Sequence, residues 1–248
     1  MKPSDRIFVA LDTVDVEHAV ALARQLKGTV GGVKIGAEFF TASGPDGFER
    51  VAEVGLPVFL DLKFHDIPNT VERAVRAAIK LKPFMLNVHA MGGEFMLRAA
   101  AAAAEETAAE AGIERPLVLA VTVLTSLSAA DLAAMGISAS LPRQVTRLAV
   151  LARDCGLDGV VCSCAEIMAL RGACGARFKL IVPGIRPSWA AGDDHKRMIT
   201  PADAIALGAD YLVIGRPIIR AADPAEAARR ICDEIACLSD AAPRSDGD

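Results

Sequence analysis

The sequence predicts an α/β protein of the TIM type, a single-domain (β/α)8 barrel, and three observations predict it. Short apolar runs alternate with Ala-rich helical stretches, the pattern of a parallel sheet with helical crossovers. The alternation repeats eight times within 248 residues, a length typical of one closed barrel. Hydrophobic residues make up 52% of the chain but aromatic residues only 4%. The core must therefore be mostly Ala, Val, Leu and Ile, residues that suit buried parallel strands.

Strands are expected at 6–12, 31–36, 57–64, 84–90, 116–125, 159–163, 179–185 and 211–217. Helices are expected at 15–27, 46–54, 70–82, 93–111, 141–155, 165–172, 201–208 and 224–238. Gly112, Gly156 and Gly208 each follow a helical stretch, where a left-handed cap favours glycine. Thr200 followed by Pro201 reads as an N-cap with proline in the first helical position. The run Ala99–Ala104 has strong helix propensity and little chemistry. No linker rich in Pro, Gly or Ser divides the chain. We therefore expect one catalytic domain over 1–240 and a frayed tail over 241–248.

Charge and composition narrow the function. The formal net charge is −4, so no basic face of the kind nucleic-acid binders carry is expected. An anionic ligand would have to be held by local cations. The first dozen residues lack the apolar core of a signal peptide, and no uninterrupted apolar run is long enough to span a bilayer. A cytoplasmic protein with no membrane partner is expected. The cysteines at 155, 162, 164, 174, 232 and 237 have no zinc-like spacing and read as reduced thiols. No metal and no cofactor is expected.

In such barrels the active site lies at the C-terminal ends of the strands. Polar residues are concentrated there: Asp12, Lys34, Asp61 and Lys63, His89, Thr125 and Ser126, Arg186, and Arg216 after Gly215. The third strand, Val58-Phe59-Leu60-Asp61-Leu62-Lys63-Phe64, is the most informative. Side chains alternate, so Asp61 and Lys63 share the inward face while Val58, Leu60, Leu62 and Phe64 face the helices. By the same alternation Ile7, Val9 and Leu11 point outward and Asp12 inward; Val33 and Ile35 point outward and Lys34 inward. Two lysines and two aspartates thus converge on one mouth with charges summing to zero. A buried ion network would contribute little stability relative to apolar packing, so a site accounts for them better. Arg186 after Pro183-Gly184-Ile185 and Arg216 after Gly215 lie in the loops after strands seven and eight, where barrels commonly bind phosphate. The long segment from Arg186 to Thr200 reads as a closing loop.

These residues carry a resemblance. Asp61-Leu62-Lys63-Phe64-His65-Asp66-Ile67-Pro68-Asn69-Thr70 resembles the signature of the orotidine 5′-phosphate decarboxylase family. So do Val9-Ala10-Leu11-Asp12, Val33-Lys34-Ile35-Gly36, Val123-Leu124-Thr125-Ser126, Pro183-Gly184-Ile185-Arg186-Pro187 and Val213-Ile214-Gly215-Arg216-Pro217, in order along nearly the whole chain. The resemblance implies decarboxylation of orotidine 5′-monophosphate to uridine 5′-monophosphate in a homodimer with shared sites. It implies Lys63 as general acid at C6, Asp61 beside the substrate carboxylate, and Lys34 and Asp12 at the ribose, with Lys34 also pairing with Asp61. Asp66, Ile67 and Thr70 would serve the partner's site, and Thr125 or Ser126 would read the pyrimidine. Arg216 with the Gly215 backbone would bind phosphate, and Arg186 would belong to the closing loop.

One departure stands out. Where the family usually has Asp-Gln before basic residues, this chain has Asp193-Asp194-His195-Lys196-Arg197. His195 can donate to phosphate but cannot copy both amide contacts of a glutamine. Substrate KM is therefore expected to rise as His195 loses its proton, and a KM flat between about pH 5.5 and 8 would contradict this. Thr70 also reads as the N-cap of the following helix, His89 as a packed barrel histidine or a ligand, His65 as a loop-shaping residue, and His18 as a helix-surface residue. The nearest alternative chemistry is that of Mg²⁺-dependent sugar-phosphate decarboxylases and aldol-type synthases sharing an Asp-x-Lys-x-x-Asp core, which chelator sensitivity would reveal. A non-catalytic phosphate-binding barrel would be indifferent to Lys63→Ala, and a Schiff-base aldolase would be trapped by borohydride.

Overall fold

The computed structural model describes residues 1–190 and 199–241. The strands are β1 (Ile7–Ala10), β2 (Gly32–Gly36), β3 (Val58–Phe64), β4 (Met85–His89), β5 (Leu117–Val121), β6 (Gly159–Val161), β7 (Lys179–Pro183) and β8 (Tyr211–Ile214). They pair in parallel, each with the next, and β1 closes on β8 through Val9↔Ile214. The helices are α1 (Val16–Leu26), α2 (Ala37–Ala52), α3 (Pro68–Ile79), α4 (Gly93–Ala111), α5 (Ala129–Ala134), α6 (Leu141–Asp154), α7 (Ile167–Cys174), α8 (Pro201–Leu207), α9 (Arg216–Ile219) and α10 (Pro224–Ala241). The (β/α)8 barrel expected from the alternation is the observed architecture.

Strand parity divides the apolar residues between two cores. Ile7, Val9, Val33, Ile35, Val58, Leu60, Leu86 and Val88 belong to the layer shared with the helices. Phe8, Ala10, Phe59, Met85, Leu119, Ile181, Tyr211 and Val213 fill the barrel interior. The few aromatics matter here. Phe8 stacks on Phe84 at 5.6 Å and meets Tyr211 edge-on at 5.5 Å, which plugs the N-terminal end of the barrel and leaves polar groups to occupy the other mouth.

Helix ends follow local chemistry. Thr200 caps α8, its hydroxyl accepting from Asp203 N–H at 3.1 Å with Pro201 next. Gly112 and Gly208 are left-handed C-caps, and Gly156 is also at positive φ. His18 is exposed on α1. Among the described residues, no helix is long and apolar enough to cross a membrane.

Several boundaries differ from expectation. The helix expected at 46–54 is the second half of α2, which begins at Ala37 and breaks at Gly44 (φ 61°) and Pro45. β5 stops at Val121 rather than 125, because its neighbours run out there: His89 of β4 and Val161 of β6 both pair with Val121. Thr125 and Ser126 therefore sit in a loop, where Leu127 N–H turns back to Leu124 O at 2.9 Å. The strand expected to 217 ends at Ile214, since Gly215 (φ −109°, ψ −100°) leaves the extended region and Arg216 opens a short helix. Thr70 is not an N-cap: α3 starts at Pro68 with Ile67 before it, because proline needs no N–H partner in a first turn. Helix α10 continues to Ala241, into the expected tail; residues 242–248 lie outside the described residues.

Candidate active site

The polar rim is built by three adjacent strands and one loop. β1 ends at Ala10, Leu11 N–H bonds to Lys34 O at 3.0 Å, and Asp12 follows at the rim with its side chain 56% exposed. Lys34 points inward from β2, and Asp61 and Lys63 from β3, as alternation requires. Asp61 is the centre of the array and only 8% exposed. Its Oδ1 accepts from Lys63 Nζ at 2.6 Å, and its Oδ2 faces Lys34 Nζ at 3.2 Å. Lys34 Nζ also lies 3.8 Å from Asp12 Oδ1. The formal charges of the four groups sum to zero.

Sequence reading missed one member. Asn87 on β4 is fully buried and donates from Nδ2 to Asp61 Oδ1 at 2.7 Å, while its Oδ1 accepts from Lys63 N–H at 2.8 Å. The signal was present: Asn87 is polar within Met85-Leu86-Asn87-Val88-His89 and has the same parity as His89, hence the inward face. Lys63 itself departs from regular strand geometry, with φ 53°. No residue near it signals that conformation in advance.

Lys34, Asp61 and Lys63 line a 220 Å³ cavity. The rest of its lining is mostly apolar, including Phe59, Val121, Val123, Leu124, Val161 and Val213, with Thr125 among them. Larger hollows, of 720 and 590 Å³, lie at the N-terminal end of the barrel and beside α6, but neither contains the converging lysine–aspartate array. Cys162 also lines the site cavity and is buried; burial raises its thiol pKa above the usual range and pushes that of Cys164 up to about 11. All six cysteines are free.

The remaining candidates ring the mouth. His65 through Thr70 are all exposed; Asp66 Oδ1 accepts Ile67 N–H at 2.6 Å, and the Ile67 side chain stands 66% exposed. His89 is half-buried, its ring 5.4 Å from that of His65. Burial depresses its pKa below the ordinary histidine value, with the neighbouring His65 and Lys63 charges adding to the effect and Asp61 opposing it. Gly184 (φ 78°) turns the chain after β7 toward Arg186, and Gly215 sits so close to the site that a Cβ there would lie 3.5 Å from Asp12 Oδ2. Arg186 is half-buried and Arg216 exposed, and neither guanidinium has an ion-pair partner among the described residues. Ser126 is exposed and does not line the cavity. His195 lies outside the described residues. Trp189, at the start of the loop after β7, packs its ring under Arg230 of α10 at 4.4 Å. Among the described residues, no group of three or more His, Cys, Asp or Glu side chains is placed to hold a metal ion.

Fold and site define a class: a parallel (β/α)8 barrel with a charge-neutral Lys/Asp array at its C-terminal mouth. Comparison with known proteins narrows it. Residues 5–231 match the model of the Orotidine 5′-phosphate decarboxylase / HUMPS family. The orotidine 5′-phosphate decarboxylase of Paramagnetospirillum magneticum is 53% identical over 229 residues, spanning 92% of this chain and 97% of that one. That of Rhodospirillum rubrum is 54% identical over 230 residues, spanning 92% and 93%. The crystal structure of the Lactobacillus acidophilus orotidine 5′-phosphate decarboxylase superposes with a TM-score of 0.82 at 36% identity, covering 92% of this chain and 98% of that one. The chain belongs to the orotidine 5′-phosphate decarboxylase / HUMPS family.

Proposed function

We propose that this chain performs its family's decarboxylation with Lys63 as proton donor, in sites shared across a cytoplasmic homodimer. The reaction is the conversion of orotidine 5′-monophosphate to uridine 5′-monophosphate and CO₂, a step of pyrimidine nucleotide biosynthesis. The observation that carries the mechanistic reading is the Lys63–Asp61–Lys34 chain of contacts, at 2.6 and 3.2 Å, lining an otherwise apolar cavity.

The substrate's C6–carboxylate bond breaks, CO₂ leaves and the electron pair stays on C6, where no conjugated sink receives it. Stabilisation is electrostatic: the Lys63 ammonium faces the developing charge and delivers the proton that forms C6–H. Low-polarity walls around the array strengthen that interaction. Asp61 orients Lys63 and lies beside the substrate carboxylate. Lys34 and Asp12 hold the ribose hydroxyls, and Thr125 or Ser126 reads the pyrimidine edge. The cavity is too small to bury a whole nucleotide, so the phosphate sits outside it, on Arg216 and the Gly215 backbone N–H, with Arg186 in the loop that closes over it. The reaction needs no cofactor in this reading.

Asp66, Ile67 and Thr70 serve the partner's site. An exposed isoleucine between polar residues at the rim fits a surface that a second subunit covers. The test is subunit complementation. Lys63→Ala and Asp66→Ala proteins are each expected to be nearly inactive on orotidine 5′-monophosphate. In a heterodimer of the two, one site carries both changes and the other carries neither. Randomly reassorted mixtures should therefore regain about one quarter of wild-type activity. A mixture no more active than its components would contradict the shared site.

A further inference from the structure

We infer that Asn87 is a positioning residue for the proton donor, fixing both the Lys63 backbone and the Asp61 carboxylate that together aim the ammonium. The inference rests on the reading of Lys63 as the donor. Its geometric basis is a local fault in the barrel. β3 and β4 pair at Leu60↔Leu86 and next at Phe64↔Val88, so β3 carries more residues than β4 across this interval. Asp61, Leu62 and Lys63 stand there against Asn87 alone, a surplus of two residues. A bulge re-aims side chains and removes backbone groups from the ladder. Here it places Lys63 at φ 53°, a conformation that costs an L-residue energy and persists only when its surroundings impose it.

Asn87 supplies that imposition with both ends of one amide. Its carbonyl oxygen takes the Lys63 N–H at 2.8 Å, in place of a strand carbonyl. Its Nδ2 donates at 2.7 Å to Asp61 Oδ1, the oxygen that also holds Lys63 Nζ at 2.6 Å. With Lys34 on Oδ2, the carboxylate is fixed at both oxygens and cannot rotate away from the ammonium. The charged and titratable neighbours of this amide are Asp61 and Lys63 on β3, Lys34 beyond Asp61 on β2, and His89 two residues along β4. Asn87 itself is neutral and wholly buried. Only a side chain with one donor and one acceptor at these positions satisfies both partners.

Two variants separate positioning from mere packing. Asn87→Leu keeps much of the volume and loses both hydrogen bonds. Asn87→Asp keeps the acceptor for the Lys63 N–H and replaces the donor to Asp61 with a repelling carboxylate. In a well-oriented site a displacement of about 1 Å costs about 100-fold in rate. Both variants are therefore expected to lose about 10- to 100-fold in kcat at neutral pH, while KM for orotidine 5′-monophosphate stays within about threefold. For Asn87→Asp, kcat should partly recover as pH falls and the introduced carboxyl takes up a proton, restoring a donor to Asp61; the unaltered protein should show no such rise. Exchange of the Lys63 amide hydrogen, followed by NMR, should be at least about 10-fold faster in Asn87→Leu and little changed in Asn87→Asp.

Folded variants that keep kcat within about twofold of wild type would overturn the inference. So would a loss in Asn87→Asp that low pH does not relieve. If Asn87→Leu fails to fold, the near-isosteric Asn87→Asp still decides through its pH profile. If the unaltered protein does not turn over this nucleotide, the functional reading falls, and the amide exchange then decides the geometry: equal rates in all three proteins would refute the Asn87 contact.

Discussion

Replacing Lys63 with alanine should reduce kcat for orotidine 5′-monophosphate by at least about 10⁴-fold, because one change removes two effects. Proton delivery by a positioned acid is worth about 10² to 10⁴, and a preorganised charge at a developing anion about 10² to 10³. Lys34 cannot substitute, since it engages the other oxygen of Asp61. The fold should survive. The Lys63 side chain is 36% exposed at the rim, so its loss opens no core cavity, and Asp61 keeps Lys34 and Asn87 as partners. Circular dichroism and a melting temperature within a few degrees of wild type would establish this. Lys63→Arg should be nearly as inactive, because a guanidinium keeps the charge but does not release a proton at working pH. An alanine variant with a tenth of wild-type activity would show that the donor lies elsewhere.

The second large effect is expected from the phosphate, which takes no part in bond breaking. In the proposed reading Arg216 and the Gly215 N–H would give a dianion about three hydrogen bonds, each charge-assisted and worth about 1.5–3 kcal/mol. If that energy goes into assembling the closed site rather than into tighter ground-state binding, it appears in kcat/KM. The nucleoside orotidine should then react with kcat/KM lower by about 10³- to 10⁶-fold. Arg216→Ala, tested on the nucleotide, should lose part of this, about 10²- to 10³-fold, with no change toward the nucleoside. That selectivity matters more than the size of the loss: a variant damaged in folding would fail equally on both. Equal kcat/KM for nucleoside and nucleotide would remove the phosphate grip from the account.

The sequence made the barrel legible because parity and period leave little freedom. Ile7, Val9, Val33, Ile35, Val58 and Leu60 alternate with inward residues, and all six lie in the outer core. Once the strands were placed, parity alone sent Asp61, Lys63 and Lys34 into one mouth, and the contacts at 2.6 and 3.2 Å follow. What was not legible depends on pairing between strands. The end of β5 at Val121 is set by where β4 and β6 stop, which no property of Thr125 or Ser126 announces. The bulge at Lys63 is likewise a matter of register between β3 and β4; parity sends Asn87 inward, but its double contact with Asp61 and the Lys63 N–H follows only from that register. Thr70 shows a different limit: it is a good capping residue, but Pro68 starts α3 two positions earlier. The contact of Trp189 with Arg230 could not be read from the sequence either, because α10 comes late in the chain.

If this barrel breaks the C6–carboxylate bond with its own charged side chains, the unaltered protein should work without metal. The measurement is the loss of orotidine 5′-monophosphate absorbance after exhaustive treatment with EDTA. Rapid, complete conversion to uridine 5′-monophosphate is expected, at a rate unchanged by the chelator or by added Mg²⁺. No conversion by the folded protein, or conversion that appears only when Mg²⁺ is restored, would refute a decarboxylation driven by Lys63 and its neighbours.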